Sequence, residues 1–234
     1  MGGKKIECYI DVVSPYSFYA FDYLQINRAA LKTQNVEFEF IPVFLGGINV
    51  GSGNKPPWEL PAKAAYSKFD TKRAQRYFGH DFGVPDFFPI LSLLPQRALT
   101  YIKHHYPKQQ FEAAFHSSFK TMWNSHLDIS KPHNLIVALE NSTVFNKSQI
   151  TEILAGAAKP EIKKELTDTT AYAVKDLGAF GCPWFWVHDG KGNAEPFFGS
   201  DRFHYMWAYL GLEFEDLKLK DGGKSSGGRG GGKL

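Results

Sequence analysis

The order of the predicted strands and helices constrains the fold of this chain more than any other feature of its sequence. An apolar strand pattern over residues 6–11 leads into a helical pattern that opens at Ser14 and Pro15. Serine is a favoured N-cap, and proline is favoured at the first helical position. Residues 36–43 then alternate between apolar and polar side chains, which predicts a half-buried second strand.

A long helical block and two closing strands complete the pattern. Residues 62–178 are mostly helical in pattern, strands are predicted over residues 184–188 and 195–198, and a last helix over residues 200–210. The strands on either side of the helical block must share one sheet, so its two flanks meet in space. The sequence therefore predicts an α/β fold, a thioredoxin-like domain that carries a large all-helical insertion.

The domain boundaries follow from the same pattern. We assign residues 1–61 and 179–220 to a discontinuous thioredoxin-like domain, and residues 62–178 to the inserted helical domain. Residues 221–234 are almost entirely Gly, Lys, Ser and Arg. Because such a segment cannot bury apolar surface, we predict a disordered tail.

Charge and residue content argue against several classes of function. A net charge of +3, without a long basic run in the body of the chain, disfavours nucleic acid as a partner. Cys8 and Cys182 are too few for a disulfide scaffold and fit a reducing compartment. The adjacent His104 and His105 point to different helix faces, so no metal site is predicted. We also expect no membrane span and no secretory signal, because the apolar runs are short and the N-terminus is polar.

The junction between the first strand and the first helix is the first candidate site. In thioredoxin-like folds this corner usually carries Cys-x-x-Cys, because the free N–H groups and the positive end of the helix dipole stabilise a thiolate. Here Ser14 and Ser17 take both cysteine positions. The corner can still stabilise a thiolate that arrives on a ligand, to which the Ser14 hydroxyl would donate a hydrogen bond. A plain N-cap is the alternative interpretation of Ser14.

Two further candidate segments lie beside the closing strands. Cys182-Pro183 precedes a strand, where thioredoxin-like proteins place a cis-proline and the backbone before it can pair with an extended peptide. Ser200 and Asp201 lie between a strand and a helix, where a helix N-terminus suits a carboxylate and Asp201 would pair with an ammonium group. Ordinary loop and capping roles remain the alternatives at both segments.

Four segments taken together resemble the kappa-class glutathione transferases, which belong to the DsbA-like thioredoxin superfamily and are related to hydroxychromene-carboxylate isomerases. They are residues 11–17, residues 52–57, residues 178–181 with Pro183 after them, and residues 198–202. The resemblance implies a glutathione transferase with peroxidase activity, in which Ser14 corresponds to the family's catalytic serine. It also implies glutathione as co-substrate, no metal, a small electrophilic or peroxide substrate and a homodimer. The residues that it implies for binding glutathione are Ser14, Tyr16, Asn54, Lys63, Cys182, Pro183, Ser200 and Asp201.

Cys182 departs from the family pattern, in which well-known members have leucine before the cis-proline. The backbone role of this position survives the change. The Cys182 thiol would lie near the bound sulfur, so a mixed disulfide with glutathione and a small buried apolar side chain are the two interpretations.

Two other functions remain open at this stage. A hydroxychromene-carboxylate-type isomerase would use glutathione and a serine in a similar way, and a non-catalytic protein would hold glutathione or a peptide without turnover. A DsbA-like oxidoreductase is disfavoured, because it needs a redox pair where Ser14 and Ser17 stand.

The family is found in mitochondria or peroxisomes. The chain ends in Gly232-Lys233-Leu234, which matches the last two residues of the Ser-Lys-Leu peroxisomal address. We therefore expect an intracellular protein, with the peroxisome or mitochondrion and the cytoplasm as alternatives. A solvated tail without an address is the other interpretation of this ending.

Overall fold

The computed structural model describes residues 3–215. The tail and its Gly-Lys-Leu ending lie outside the described residues. The strands are Lys4–Ile10 (β1), Val36–Pro42 (β2), Trp184–His188 (β3) and Ala194–Phe198 (β4). The α-helices are Pro15–Ile26 (α1), Arg28–Thr33 (α2), Leu45–Ser52 (α3), Pro61–Phe78 (α4), Leu93–His105 (α5), Lys108–Trp123 (α6), Pro132–Asn141 (α7), Lys147–Ala157 (α8), Pro160–Lys175 (α9) and Phe203–Tyr209 (α10).

The four strands form one mixed sheet in the order β2-β1-β3-β4. Strand β1 is parallel to β2 and antiparallel to β3, so Cys8 lies between Phe40 and Phe185. The pairing of β1 with β3 brings together the two flanks of the helical segment α4–α9, as the sequence predicts. The thioredoxin-like fold with a helical insertion is confirmed; the boundaries of the insertion, residues 62–178, remain a prediction.

The first helix forms where the sequence predicts it. Ser14 is the N-cap of α1, and Pro15 occupies the first helical position. Phe18, Phe21 and Leu24 recur at helical spacing and are buried. Burying a side chain of this size typically contributes about 1.5–3 kcal/mol, so this face anchors α1 firmly beneath the corner that holds Ser14.

Helices α2 and α3 form where the sequence analysis predicted no helix, and α8 forms inside the predicted helical block. Helix α3 forms on a glycine-rich stretch, and it is a product of tertiary packing, because Gly47 and Gly51 lie close against Thr170 and Val174 of α9. Helix α8 begins with a capping box in which Asn146 and Gln149 bond reciprocally, a signal that the sequence does carry.

The last helix begins three residues later than predicted, at Phe203. Gly199 has a φ of +87°, and the chain turns through Ser200 and Asp201 before the helix starts. The prediction that Ser200 opens this helix is therefore wrong, because a left-handed turn separates the strand from the helix.

One apolar core joins the sheet to the helical segment. Phe21 on α1 stacks on Phe40 of β2 at 4.3 Å between ring centroids, and Phe115 and Phe119 of α6 belong to the same buried cluster. Helix α4 differs from the other long helices, because none of its residues is buried. Within residues 3–215, no helix is long and apolar enough to cross a membrane.

Candidate active site

A cavity of about 1280 Å³ opens beside the C-terminal end of β1, where α1 begins. It extends under α4 and along the segments that precede β3 and follow β4. Of the eight residues predicted to bind a ligand, seven line this cavity: Ser14, Tyr16, Asn54, Lys63, Cys182, Ser200 and Asp201. Pro183 does not line it, but the bond from Cys182 to Pro183 is cis, as the resemblance to the family implies.

Ser14 is both a helix cap and a cavity residue. Its side chain is almost fully buried, with 4% of its surface exposed. The Ser14 Oγ accepts a hydrogen bond from the Ser17 N–H at 3.2 Å and donates one to the Cys182 carbonyl at 3.1 Å. The two sites that the sequence suggested separately, at residues 14 and 182, are thus in direct contact.

The first turn of α1 keeps one backbone donor free for a ligand. The N–H groups of Ser17 and Phe18 both donate to the Ser14 carbonyl, and Pro15 has no N–H. Within the described part of the chain, no acceptor is found for the Tyr16 N–H. This donor sits at the positive end of the helix dipole, so an anion bound beside Ser14 would meet it.

Cys182 has a buried, free thiol with 6% of its surface exposed. Burial raises the pKa of this thiol well above its usual value, and the nearby charge of Asp11 raises it further. Cys182 is therefore a neutral thiol at physiological pH and a poor nucleophile, which favours its interpretation as a small buried side chain.

Tyr16 is engaged with the overlying helix. Its hydroxyl donates to the carboxylate of Asp70 on α4 at 3.2 Å, and Tyr66 donates to the other oxygen of Asp70 at 3.2 Å. Burial, with the Asp70 charge as a further cause, raises the pKa of Tyr16 to about 12. Tyr16 stays protonated and bound to Asp70, which leaves Ser14 as the hydroxyl available to a ligand in this corner.

The remaining predicted residues come from two groups of segments that line the cavity. In the first group, the Asn54 side-chain amide donates to the Phe180 carbonyl at 2.6 Å, and Lys63 lies in the first turn of α4. In the segment that follows β4, Ser200 is buried and Asp201 is exposed, with an ion pair to Arg202. The cavity lining therefore includes an amide, a cation and a carboxylate.

An aromatic recess adjoins Ser14, and the sequence analysis did not find it. It is formed by Trp58, Phe82, Phe88 and Trp123, which all line the cavity. The ring centroids of Phe88 and Trp123 are 5.4 Å apart, and those of Trp58 and Phe88 are 5.1 Å apart. The four rings come from three distant parts of the chain, so no local pattern marks them as one group.

The fold resembles that of two groups of solved structures. A 2-hydroxychromene-2-carboxylate isomerase structure matches with a TM-score of 0.70 at 18% identity, covering 88% of this chain and 94% of the other. Cytosolic disulfide reductase DsbM from Pseudomonas aeruginosa, in a structure with GSH, matches with a TM-score of 0.56 at 13% identity, covering 88% and 96%. At these identities the likeness concerns the fold.

Comparison with known sequences identifies the family of the chain as well as its fold. The family model of the DSBA-like thioredoxin domain matches residues 5–211. Glutathione S-transferase kappa 1 of Caenorhabditis elegans is 31% identical over 207 residues, which cover 86% of this chain and 88% of the relative. Glutathione S-transferase kappa 1 of Homo sapiens is 30% identical over 213 residues, covering 89% and 91%. The chain therefore belongs to the DsbA-like thioredoxin domain family and, within it, to the kappa-class glutathione transferases.

Proposed function

We propose that this protein binds glutathione in the cavity, stabilises its thiolate with the Ser14 hydroxyl, and transfers the sulfur to a small electrophile. The observation that carries the proposal is the position of Ser14. Its hydroxyl lines the cavity at the N-terminus of α1, where dithiol proteins of this fold keep their own reactive sulfur.

The tripeptide fits the cavity in an extended pose. Its cysteinyl backbone pairs with the backbone of Cys182, as an added strand would. Its glycyl carboxylate is directed to Asn54 and Lys63, and its γ-glutamyl group to Ser200 and Asp201. Charge complementarity supports this direction, since Lys63 would pair with the lone carboxylate and Asp201 with the ammonium group, and both residues line the cavity.

Binding in this pose releases the Ser14 hydroxyl for the sulfur. In the structure the Ser14 hydroxyl donates its proton to the Cys182 carbonyl. A ligand amide that donates to the same carbonyl takes over that role, and the hydroxyl turns to the thiolate. The Tyr16 N–H and the helix dipole add positive field, and comparable sites lower a thiol pKa from about 8.5 by one to several units.

The chemistry then needs no cysteine of the protein. In conjugation, the thiolate forms a carbon–sulfur bond with the electrophile, and the leaving group departs with the bonding electrons. With an organic hydroperoxide, the thiolate attacks the terminal oxygen and the O–O bond breaks. The alkoxide that leaves takes up the proton that the thiol released and becomes an alcohol. The resulting glutathione sulfenic acid reacts with a second glutathione to give the disulfide and water. Proximity and thiolate stabilisation supply the rate in both cases.

The aromatic recess provides a place for the second substrate. Phe82, Phe88 and Trp123 form an apolar surface beside Ser14, and Trp58 packs edge-to-face against Phe88. Flat apolar electrophiles would stack there within reach of the sulfur. The Trp123 Nε1 donates to the Val12 carbonyl at 2.9 Å, which ties this recess to the corner that holds Ser14.

Substitution of Ser14 by alanine tests the proposal. We expect Ser14→Ala to raise the pKa of the bound glutathione thiol by about one unit and to lower kcat by about tenfold, because one charge-assisted hydrogen bond to the thiolate is lost. Calorimetric affinity for glutathione should change less. The measurement is the ultraviolet thiolate absorbance of bound glutathione against pH, together with turnover of a chlorinated nitroaromatic.

Ser17→Ala is the matched control. Ser17 is buried on the same helix, and its hydroxyl has no hydrogen-bond partner among the described residues, so its loss should leave the titration unchanged. If the thiol of bound glutathione has the same pKa in Ser14→Ala as in Ser17→Ala, the hydroxyl of Ser14 has no part in the mechanism.

The same assays separate the alternatives. A non-catalytic protein would bind glutathione without turnover of any electrophile or peroxide. A hydroxychromene-carboxylate-type isomerase would turn over its isomer pair with glutathione unconsumed. The relatives of about 30% identity favour the transferase, because the likeness to the isomerase structure rests on 18% identity.

We also propose that the protein is a homodimer of the peroxisome or mitochondrion, in line with its family. Sedimentation equilibrium at micromolar concentration tests the dimer. Fusion of a fluorescent protein to residues 221–234, with and without the terminal Lys233-Leu234 pair, tests the address, and a cytoplasmic signal from both fusions would contradict it.

A further inference from the structure

A buried carboxylate lies beneath the corner that holds Ser14. Asp11 follows β1 directly and has no exposed surface. Its Oδ1 accepts from the Val13 N–H at 3.0 Å, and its backbone carbonyl accepts from the Ser14 N–H at 3.0 Å. The side chain and the backbone of one residue therefore fix the turn that leads into α1.

The second oxygen of Asp11 reaches two other segments. Its Oδ2 accepts from the Leu45 N–H, the first residue of α3, at 2.7 Å. The same oxygen accepts from the Ser92 hydroxyl, at the N-cap of α5, at 2.7 Å. The Ser92 side chain makes no cap hydrogen bond to its own helix and donates to the Asp11 carboxylate instead. One carboxylate thus joins the Ser14 turn, α3 and α5.

No cation among the described residues neutralises this carboxylate. Its donors, Val13 and Leu45 on the backbone and Ser92 on the side chain, are all uncharged. Burial raises the pKa of Asp11 to about 6, although the three hydrogen bonds oppose the rise. The negative charge of Asp11 in turn raises the pKa of the Cys182 thiol. Cys182 in turn accepts the Ser14 hydroxyl on its carbonyl.

We propose that Asp11 is a positioning residue of the thiol site, which holds the Ser14 corner in place and whose negative charge acts on the bound sulfur. The inference rests on the proposed function. It assigns two opposite effects to one side chain. Its hydrogen bonds place the donors of the corner correctly, whereas its charge makes a nearby thiolate less stable. Thiolate formation and protonation of Asp11 are then coupled.

Asp11→Asn separates charge from shape. The amide has nearly the same volume as the carboxylate but carries no charge. We expect the midpoint of the bound-thiol titration to fall by about half a pKa unit or more, a roughly threefold gain in thiolate at low pH. A purely structural role predicts the reverse, since a loosened corner would stabilise the thiolate less well. The sign of the shift therefore decides between them.

Ser92→Ala provides a second test that leaves the Asp11 side chain itself in place. It removes one donor from the Asp11 carboxylate, which favours the neutral form of Asp11. The bound-thiol midpoint should move in the same direction as in Asp11→Asn, but less. Ser92 does not line the cavity. This variant keeps the test meaningful even if Asp11→Asn does not fold.

Asp128→Asn is the matched control. Asp128 accepts from the Ser130 N–H at 3.0 Å, the same local pattern that Asp11 makes with Val13, and it does not line the cavity. It should leave the midpoint where it is in the parent protein.

The readout separates this inference from the proposed function. If calorimetry finds no glutathione binding to the parent protein, both fail together. If the parent protein binds glutathione and lowers its thiol pKa, but Asp11→Asn and Ser92→Ala leave the midpoint unchanged or raise it, the inference about Asp11 alone is overturned.

Discussion

At the scale of single residues, the chemistry of this site depends on where protons are held. Ser14 donates to a backbone carbonyl, Tyr16 donates to Asp70, and the Cys182 thiol stays protonated because burial raises its pKa. No cysteine of the described residues is set up to be a thiolate, since Cys8 is also buried and its pKa is raised. This supports the proposal that the reacting sulfur comes with the substrate.

The buried Asp11 should also make stability depend on pH. Its pKa is about 6 in the folded chain, against an ordinary value of 3.8. Because the folded state holds this proton more tightly than the unfolded state, the contribution is complete below pH 3.8 and is lost as the pH rises through 6. The shift corresponds to at most about 3 kcal/mol.

We therefore expect the stability of Asp11→Asn, relative to the parent protein, to improve as the pH rises from 4 to 7. Urea unfolding at unit steps of pH measures this difference, with Asp128→Asn as the reference. A difference between Asp11→Asn and the parent that stays constant with pH would mean that Asp11 does not titrate in this range.

At the scale of elements, α4 is the helix that covers the cavity. None of its residues is buried, and Tyr66, Phe69 and Tyr77 are largely exposed. Its C-terminus is followed by His80, whose ring lies 3.2 Å from the Asp22 carboxylate of α1. The middle of the helix is held by the bond from Tyr16 to Asp70.

Hydrogen exchange should show α4 to be the least protected of the long helices. Helices with few buried apolar contacts open locally at low free energy. We expect its amides to exchange at least tenfold faster than those of α6, whose buried residues include Phe111, Phe115 and Phe119, and to gain protection when glutathione is added, through Lys63. Protection of α4 equal to that of α6 in the free protein would contradict this expectation.

At the scale of the whole molecule, the helical segment is joined to the sheet by polar groups as well as by the apolar core. Gln96 on α5 is fully buried. Its amide donates to the Ile10 carbonyl at 2.9 Å and to the Val43 carbonyl at 2.6 Å, at the ends of β1 and β2. Trp123 of α6 bonds to Val12 in the same corner. The sheet and the helices should thus unfold together.

Gln96→Leu tests this coupling. It leaves the buried Val43 carbonyl without its donor and the Val12 N–H without its acceptor, which should cost about 2–4 kcal/mol. The control is Gln109→Leu, an exposed position on α6. Unfolding followed by tryptophan fluorescence and by far-ultraviolet circular dichroism should give one coincident transition in both variants. Two separated transitions would show that the helical segment is an independent folding unit.

Local signals in the sequence were sufficient to predict the frame of the site. Neighbouring residues determine the N-cap at Ser14 with Pro15 after it, the strand that follows Pro183 and the apolar face of α1. These features can therefore be predicted from short sequence patterns. The resemblance to a family then predicted that residues at 54, 63, 182, 200 and 201 would meet, and the structure places them around one cavity.

Only the tertiary structure decided what surrounds and supports that frame. Asp70 meets Tyr16 from 54 positions away, and Gln96 reaches Ile10 from 86 positions away. The aromatic recess, the α3 helix built on glycines and the burial of Asp11 also depend on distant packing. Contacts of this kind produce no periodic sequence pattern, because packing in the folded chain determines which residues meet and their neighbours in sequence do not.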